Sequence, residues 1–138
     1  MMAPENSQAT GRVVEMQVSG LVGPALDWAV AKAAGAAELK VTDSGSVCCI
    51  YAMSCGSGCW TGYYEPSTDW NHGGPLISKY LLDFTVEHPE TIGAALCDEN
   101  GMYIGGRVVF GPTHLIAACR AIVSANLGEV VSVPAELT

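Results

Sequence analysis

With 138 residues and 49% apolar content, the chain has enough material for one domain around one core and no evident room for two. Six Lys+Arg against fourteen Asp+Glu give a formal charge of −8 with no basic cluster, which argues against DNA or RNA as a partner. No run approaches the roughly 20 apolar residues of a membrane span, and MMAPENSQATGR lacks the basic and apolar regions of a secretion signal, so a cytoplasmic setting with mostly reduced cysteines is expected.

Residues 1–11 are polar and small and are expected to form a disordered tail before a domain over 12–138. RVVEMQV predicts a half-buried strand, with Val14, Met16 and Val18 on one face and Glu15 and Gln17 on the other. SGLVGPALDWAVAKAAG predicts a helix with Pro24 in its first turn, Gly35 as its stop, and Leu26, Val30, Ala33 and Ala34 as its apolar stripe. LKVTDSGSVCCIYAM holds two strands around the turn Asp43-Ser44-Gly45, and CWTGYY is a third. YEPSTDWNHGGPLI reads as a loop, because it carries two prolines, a glycine pair and several turn-forming polar residues.

YLLDFTVEH then alternates as a strand, with Leu82, Phe84 and Val86 to one side. AALCDENGMYIGGRVVF reads as a hairpin around Asn100-Gly101. GPTHLIAACRAIVSANLG predicts a helix with Pro112 in its first turn, Gly128 after its end, and a core stripe of Ile116, Cys119, Val123 and Leu127. EVVSVP closes the chain as a short strand. The predicted fold is α+β, a single domain of two main helices packed on a mainly antiparallel sheet. A mean hydropathy of +0.28 is high for a monomer of this size and leads to the expectation of a homo-oligomer.

No P-loop, G-x-S-x-G elbow, H-E-x-x-H or dinucleotide fingerprint is present. Cys55 and Cys59 form a C-x3-C pair without the second close Cys/His pair of a structural zinc site, so neither metal nor cofactor is expected. A hydrolytic triad would have to come from Ser67 or Thr68, Asp69, and His72 or His114. Paired carboxylates would have to be Asp27 and Asp69. Neither set is singled out, and the expectation is a protein without catalysis.

The 64–75 loop is the stronger candidate. Tyr64 and Trp70 offer faces that can stack on a base, and Asp69 can accept hydrogen bonds from ribose hydroxyls. Ser67 and Thr68 add hydroxyls, and Gly73 and Gly74 let a ligand approach the backbone. The alternative is structural, with Asp69 closing a turn and Trp70 plugging the core. A second wall is expected around the start of the last helix, from Thr113, His114, Arg107 and Arg120, where free N–H groups would suit an anion. There too a structural alternative stands, with Thr113 starting the helix and Arg120 paired with an acid.

Three segments, LVGPALDWAVAKAAG, YEPSTDWNHGGPLI and GPTHLIAACRAIVSANLGEVVSVPAEL, taken together resemble the NinX-like proteins of tailed bacteriophages and prophages, in order over residues 21–137. The resemblance implies a small cytoplasmic phage accessory protein and carries no known activity. By analogy with phage proteins that sequester the nucleotide signals of host defence, the expected ligand is a small nucleotide, bound and left unchanged. A nucleotide-degrading enzyme and a protein-binding inhibitor are the alternatives.

Overall fold

The computed structural model describes residues 12–52, 57–104 and 108–138; the expected tail at 1–11 lies outside them. Strand β1 (Val13–Gln17) leads through a 3-10 turn at Val18–Gly20 into helix α1 (Gly23–Ala33), with Pro24 in its first turn. Next come β2 (Ala37–Val41), β3 (Val47–Ala52) and β4 (Gly58–Thr61). These pair antiparallel in the order β2-β3-β4. Helix α2 (Trp70–Lys79) follows, then β5 (Leu82–His88), β6 (Thr91–Leu96) and β7 (Val109–Gly111), a second antiparallel sheet in chain order. Helix α3 (His114–Leu127) and strand β8 (Val130–Pro134) complete the order. β8 returns to β1 as a two-stranded antiparallel ribbon, placing Val14 opposite Val133 and Met16 opposite Val131.

The α+β class is as expected, but the arrangement is more divided than two helices on one sheet: the described strands form three separate antiparallel sheets, with a third regular helix beside the two expected ones. The turn residues sit where their chemistry demands. Gly101 takes a φ of +80°, and Asp98 accepts the Asn100 and Met102 amides across the predicted turn. Pro112 lies outside the helix where its first turn was expected, one residue before the N-cap Thr113.

α3 is the centre of the molecule. Its predicted four-residue stripe understates what it buries: Leu115 and every residue from Ala117 to Val123 are buried, while Ile116 and Leu127 are only partly so. A helix buried nearly all round needs neighbours on more than one side. α3 has α1 against it on one side and β6 and β7 on another. Alanines on both helices, Ala25, Ala29 and Ala31 against Ala117, Ala118 and Ala121, keep the layer thin. One continuous hydrophobic cluster runs from Val18 to Val133 through this layer.

The principal correction concerns YEPSTDWNHGGPLI, read as a loop, of which Trp70 onward is helical. Composition argued against a helix, since each glycine costs about 1 kcal/mol and an interior proline about 3. Two features offset that cost. Asp69 is an N-cap whose carboxylate accepts the Asn71 N–H at 2.9 Å. Gly73, moreover, lets the helix lie directly on its neighbours. A Cβ built there would come within 2.5 Å of the Pro66 carbonyl oxygen and 2.6 Å of Leu115 Cδ2.

Gly74, one residue on, has nothing within 4 Å of the same position. The two adjacent glycines should therefore respond oppositely to alanine. Gly74→Ala is expected to stabilise the fold by roughly 0.5–1 kcal/mol through helix propensity. Gly73→Ala is expected to destabilise it by about 1–3 kcal/mol through overpacking. Urea denaturation of the two variants compares them directly, and equal shifts would show that α2 does not rest on Pro66 and Leu115.

Candidate functional site

The starts of α2 and α3 open on one cavity of about 360 Å³, lined by Ser67, Thr68, Trp70, Thr113, His114, Leu115 and Ile116. That volume lies in the range of small-molecule pockets, roughly 300–1,000 Å³. The first turn of any helix has N–H groups without intrahelical acceptors, and its end carries partial positive charge. The two helix starts are capped differently. α2 has the Asp69 carboxylate, whose negative charge offsets its dipole. α3 has the neutral Thr113 hydroxyl, which accepts the Ile116 N–H at 3.1 Å. The α3 end therefore keeps its positive character toward the cavity.

Trp70 is 58% exposed, so it neither plugs the core nor is buried as its indole suggested. The core position belongs to Tyr64, 2% exposed, whose ring centroid lies 5.2 Å from both Tyr51 and His72. Burial pushes the Tyr64 phenol well above its ordinary range. His114 is held by an edge contact with Phe84 at 5.2 Å.

Beneath the cavity a buried carboxylate anchors this wall. Asp27 of α1, 3% exposed, accepts the Ser67 N–H at 2.8 Å. Burial raises its pKa from 3.8 to about 6; the Ser67 hydrogen bonding opposes the rise and Glu65 adds slightly to it. Although the Ser67 hydroxyl lies near enough to favour the carboxylate's charge, its oxygen is fully buried and makes no hydrogen bond of good geometry. The sequence offered Asp27 only as half of a carboxylate pair with Asp69; its role as the anchor of residue 67 carried no local signal. Leu115 and Ile116, the apolar part of the wall, were likewise not singled out.

The remaining candidates lie elsewhere. Asp69 serves as the α2 cap, and Gly73 packs closely on the Pro66 carbonyl and Leu115. Tyr64 and Gly74 do not line the cavity. Arg120 lines a different cavity, and its partners are two backbone carbonyls where an acid was the structural expectation. Arg107 and Cys55 lie outside the described residues. His72 Nδ1 accepts the Glu65 N–H at 3.0 Å, which places the ring proton of the neutral form on Nε2. Among the described residues neither Ser67 nor Thr68 is hydrogen-bonded to a histidine.

A family model described as Bacteriophage P22, NinX, matches residues 17–126, most of the chain, and the chain belongs to that family. A search of curated proteins finds no match. No helix among the described residues is long and apolar enough to cross a membrane.

The buried carboxylate makes stability depend on pH in a defined direction. Because its pKa is higher in the folded state, the folded protein holds a proton that the unfolded chain releases between pH 3.8 and about 6. The Asp27 contribution therefore falls as pH rises through that window and is constant above it, a loss of up to about 3 kcal/mol. Asp27→Asn keeps an acceptor for the Ser67 amide and removes the charge. Its stability relative to the parent, measured by urea denaturation, should rise from pH 4 to 6 and then level off. A difference independent of pH would show that Asp27 is not buried as described.

Proposed function

We propose that this NinX-family phage protein binds a small nucleotide and withholds it from its receptor without altering it. One observation carries the reading: the exposed Trp70 and the hydroxyl-capped N-terminus of α3 line one cavity, together with Thr68 and Thr113. A tryptophan face stacks on any base, and such stacking is worth about 1–3 kcal/mol. The first-turn amides of His114 and Leu115 suit a phosphate. A nucleotide has both parts, an aromatic face and an anion, and its sugar hydroxyls suit the threonines.

The anion is assigned to α3 because the Asp69 carboxylate at the start of α2 would repel it. Among the described residues neither Ser67 nor Thr68 has a histidine partner that could activate it, and the reading taken is therefore binding without turnover. Sequestration of a host defence signal is the biological role that fits a small acidic phage protein with such a site. The chain's charge of −8 is compatible with a small anion, since recognition would rest on local N–H donors.

The test is mass spectrometry of protein incubated with a panel of mononucleotides, cyclic oligonucleotides and cyclic ADP-ribose isomers, filtered, then denatured by heat. Depletion of one compound, with its intact recovery on denaturation, is the expected result. Trp70→Ala, at a position too exposed to endanger the fold, should weaken capture tenfold or more. Recovery of a changed mass would replace sequestration with catalysis. No depletion anywhere on the panel would overturn the nucleotide reading in favour of a protein partner for the exposed Trp60, Tyr63 and Trp70.

A further inference from the structure

Two side chains hold the cavity wall at residues 65–69 by its amides. Asp27 takes the Ser67 N–H at 2.8 Å, and His72 Nδ1 takes the Glu65 N–H at 3.0 Å. Glu65 is the pivot of this wall, since its carbonyl in turn accepts the Thr68 and Asp69 amides at 3.1 and 2.7 Å. Thr68 lines the cavity, and Asp69 caps the helix whose first residue is Trp70. The bond at His72 therefore sits one step behind the groups that line the cavity.

An imidazole accepts a hydrogen bond only through a nitrogen that carries no proton. The Glu65 amide directs its hydrogen at Nδ1, so the ring must be neutral for this bond to exist. Once charged, the ring has N–H groups at both nitrogens, and two donors would face each other. The ring has little room to avoid that conflict in place. Its side chain is 11% exposed, and its centroid lies 5.1 Å from Tyr51 of β3 and 5.2 Å from Tyr64. Both phenols are pushed above their ordinary range, Tyr51 chiefly through its hydrogen bond with Cys59 and Tyr64 by burial, so neither contributes charge.

The charge beside Nδ1 is that of Asp69, whose Oδ2 lies 4.0 Å away while its Oδ1 caps α2. A charged ring gains an acceptor there by giving up the Glu65 amide. Asp27 responds differently to acid. Its pKa of about 6 falls in the range where histidines titrate, but a neutral carboxyl keeps a carbonyl oxygen for the Ser67 amide.

We propose that His72 is a positioning residue for the cavity: its neutral ring holds the Glu65 end of the wall, and its protonation transfers Nδ1 from the Glu65 amide to the Asp69 carboxylate. The wall's response to acid stands on the hydrogen bonding alone, and its bearing on capture rests on the nucleotide reading.

The test is an NMR titration of the intact protein from about pH 7.5 to about 5.5, the range in which histidines ordinarily change charge. The Glu65 amide proton should move upfield in step with protonation of the His72 ring. His72→Asn keeps an acceptor near the Nδ1 position without a titrating ring, and should abolish the Glu65 response. Asp69→Asn keeps a cap for α2 and removes the charge that draws Nδ1, so the response should move to lower pH. That second variant retains the His72 ring packing and carries the test should His72→Asn not fold. A Glu65 amide that stays still while the His72 ring takes up its proton would overturn the assignment. So would an unchanged Glu65 response in His72→Asn, which would trace it to Asp27, or in Asp69→Asn.

Capture is read with the cyclic oligonucleotides of the panel, whose phosphodiesters keep their charge over this range. It should weaken roughly three- to tenfold at the acid end in the parent, the worth of about one hydrogen bond, and change less than about twofold in His72→Asn. Equal weakening in both proteins would overturn the link to capture. No capture by the parent at the neutral end would count against the nucleotide reading and leave the Glu65 response to decide the role of His72.

Discussion

Asp27 accepts the Ser67 amide at 2.8 Å in a place where neither group meets water, and that bond joins two parts of the chain that share no local pattern. An unpaired amide there would cost on the order of 1–3 kcal/mol, so the 64–69 segment has little freedom to settle elsewhere. The carboxylate's own desolvation is the counterweight, visible in its raised pKa. With residue 67 held, Tyr64 enters the core and Asp69 reaches the position from which it caps α2. The orientation of Trp70 follows, since it is the first residue of that helix.

The cavity is a consequence of close approach. α2 rests on the Pro66 carbonyl and Leu115 through Gly73, which brings its first turn beside the first turn of α3. Helix starts gathered in this way concentrate unsatisfied N–H groups, and the protein caps one with a carboxylate and the other with a hydroxyl. The electrostatic asymmetry of the pocket lies in that choice of cap. On the proposed reading, the carboxylate cap of α2 and the neutral cap of α3 would orient a ligand with one anionic end toward α3.

Much of the architecture was legible locally. Pro24 and Gly35 bound α1, Asp43-Ser44-Gly45 and Asn100-Gly101 mark turns, and the alternation in RVVEMQV and YLLDFTVEH gives strands. These signals are short-range sterics and hydrogen bonding, which act within a few residues. α2 was hidden for the same reason. Gly73, Gly74 and Pro75 lower helix propensity, and the Asp69 cap together with packing on Pro66 and Leu115 outweighs them. The stripe on α3 was read too narrowly, because periodicity shows that one face is buried and is silent about a second neighbour.

Apart from α2, element types, most element ends and membership in the NinX family are properties that the sequence by itself determined. Which aromatic faces inward, which candidates share a cavity and what Arg120 holds were decided only in three dimensions. Ser67 meets Asp27 across 40 residues, and Arg120 meets Leu21 across 99. Contacts of that separation depend on how whole elements pack, and packing depends on the shape and burial of every neighbour at once. Tyr64 and Trp70 show the consequence: both are aromatic residues within one turn-rich stretch, yet one lies in the core and the other at the surface, on either side of the segment that the Asp27–Ser67 bond holds.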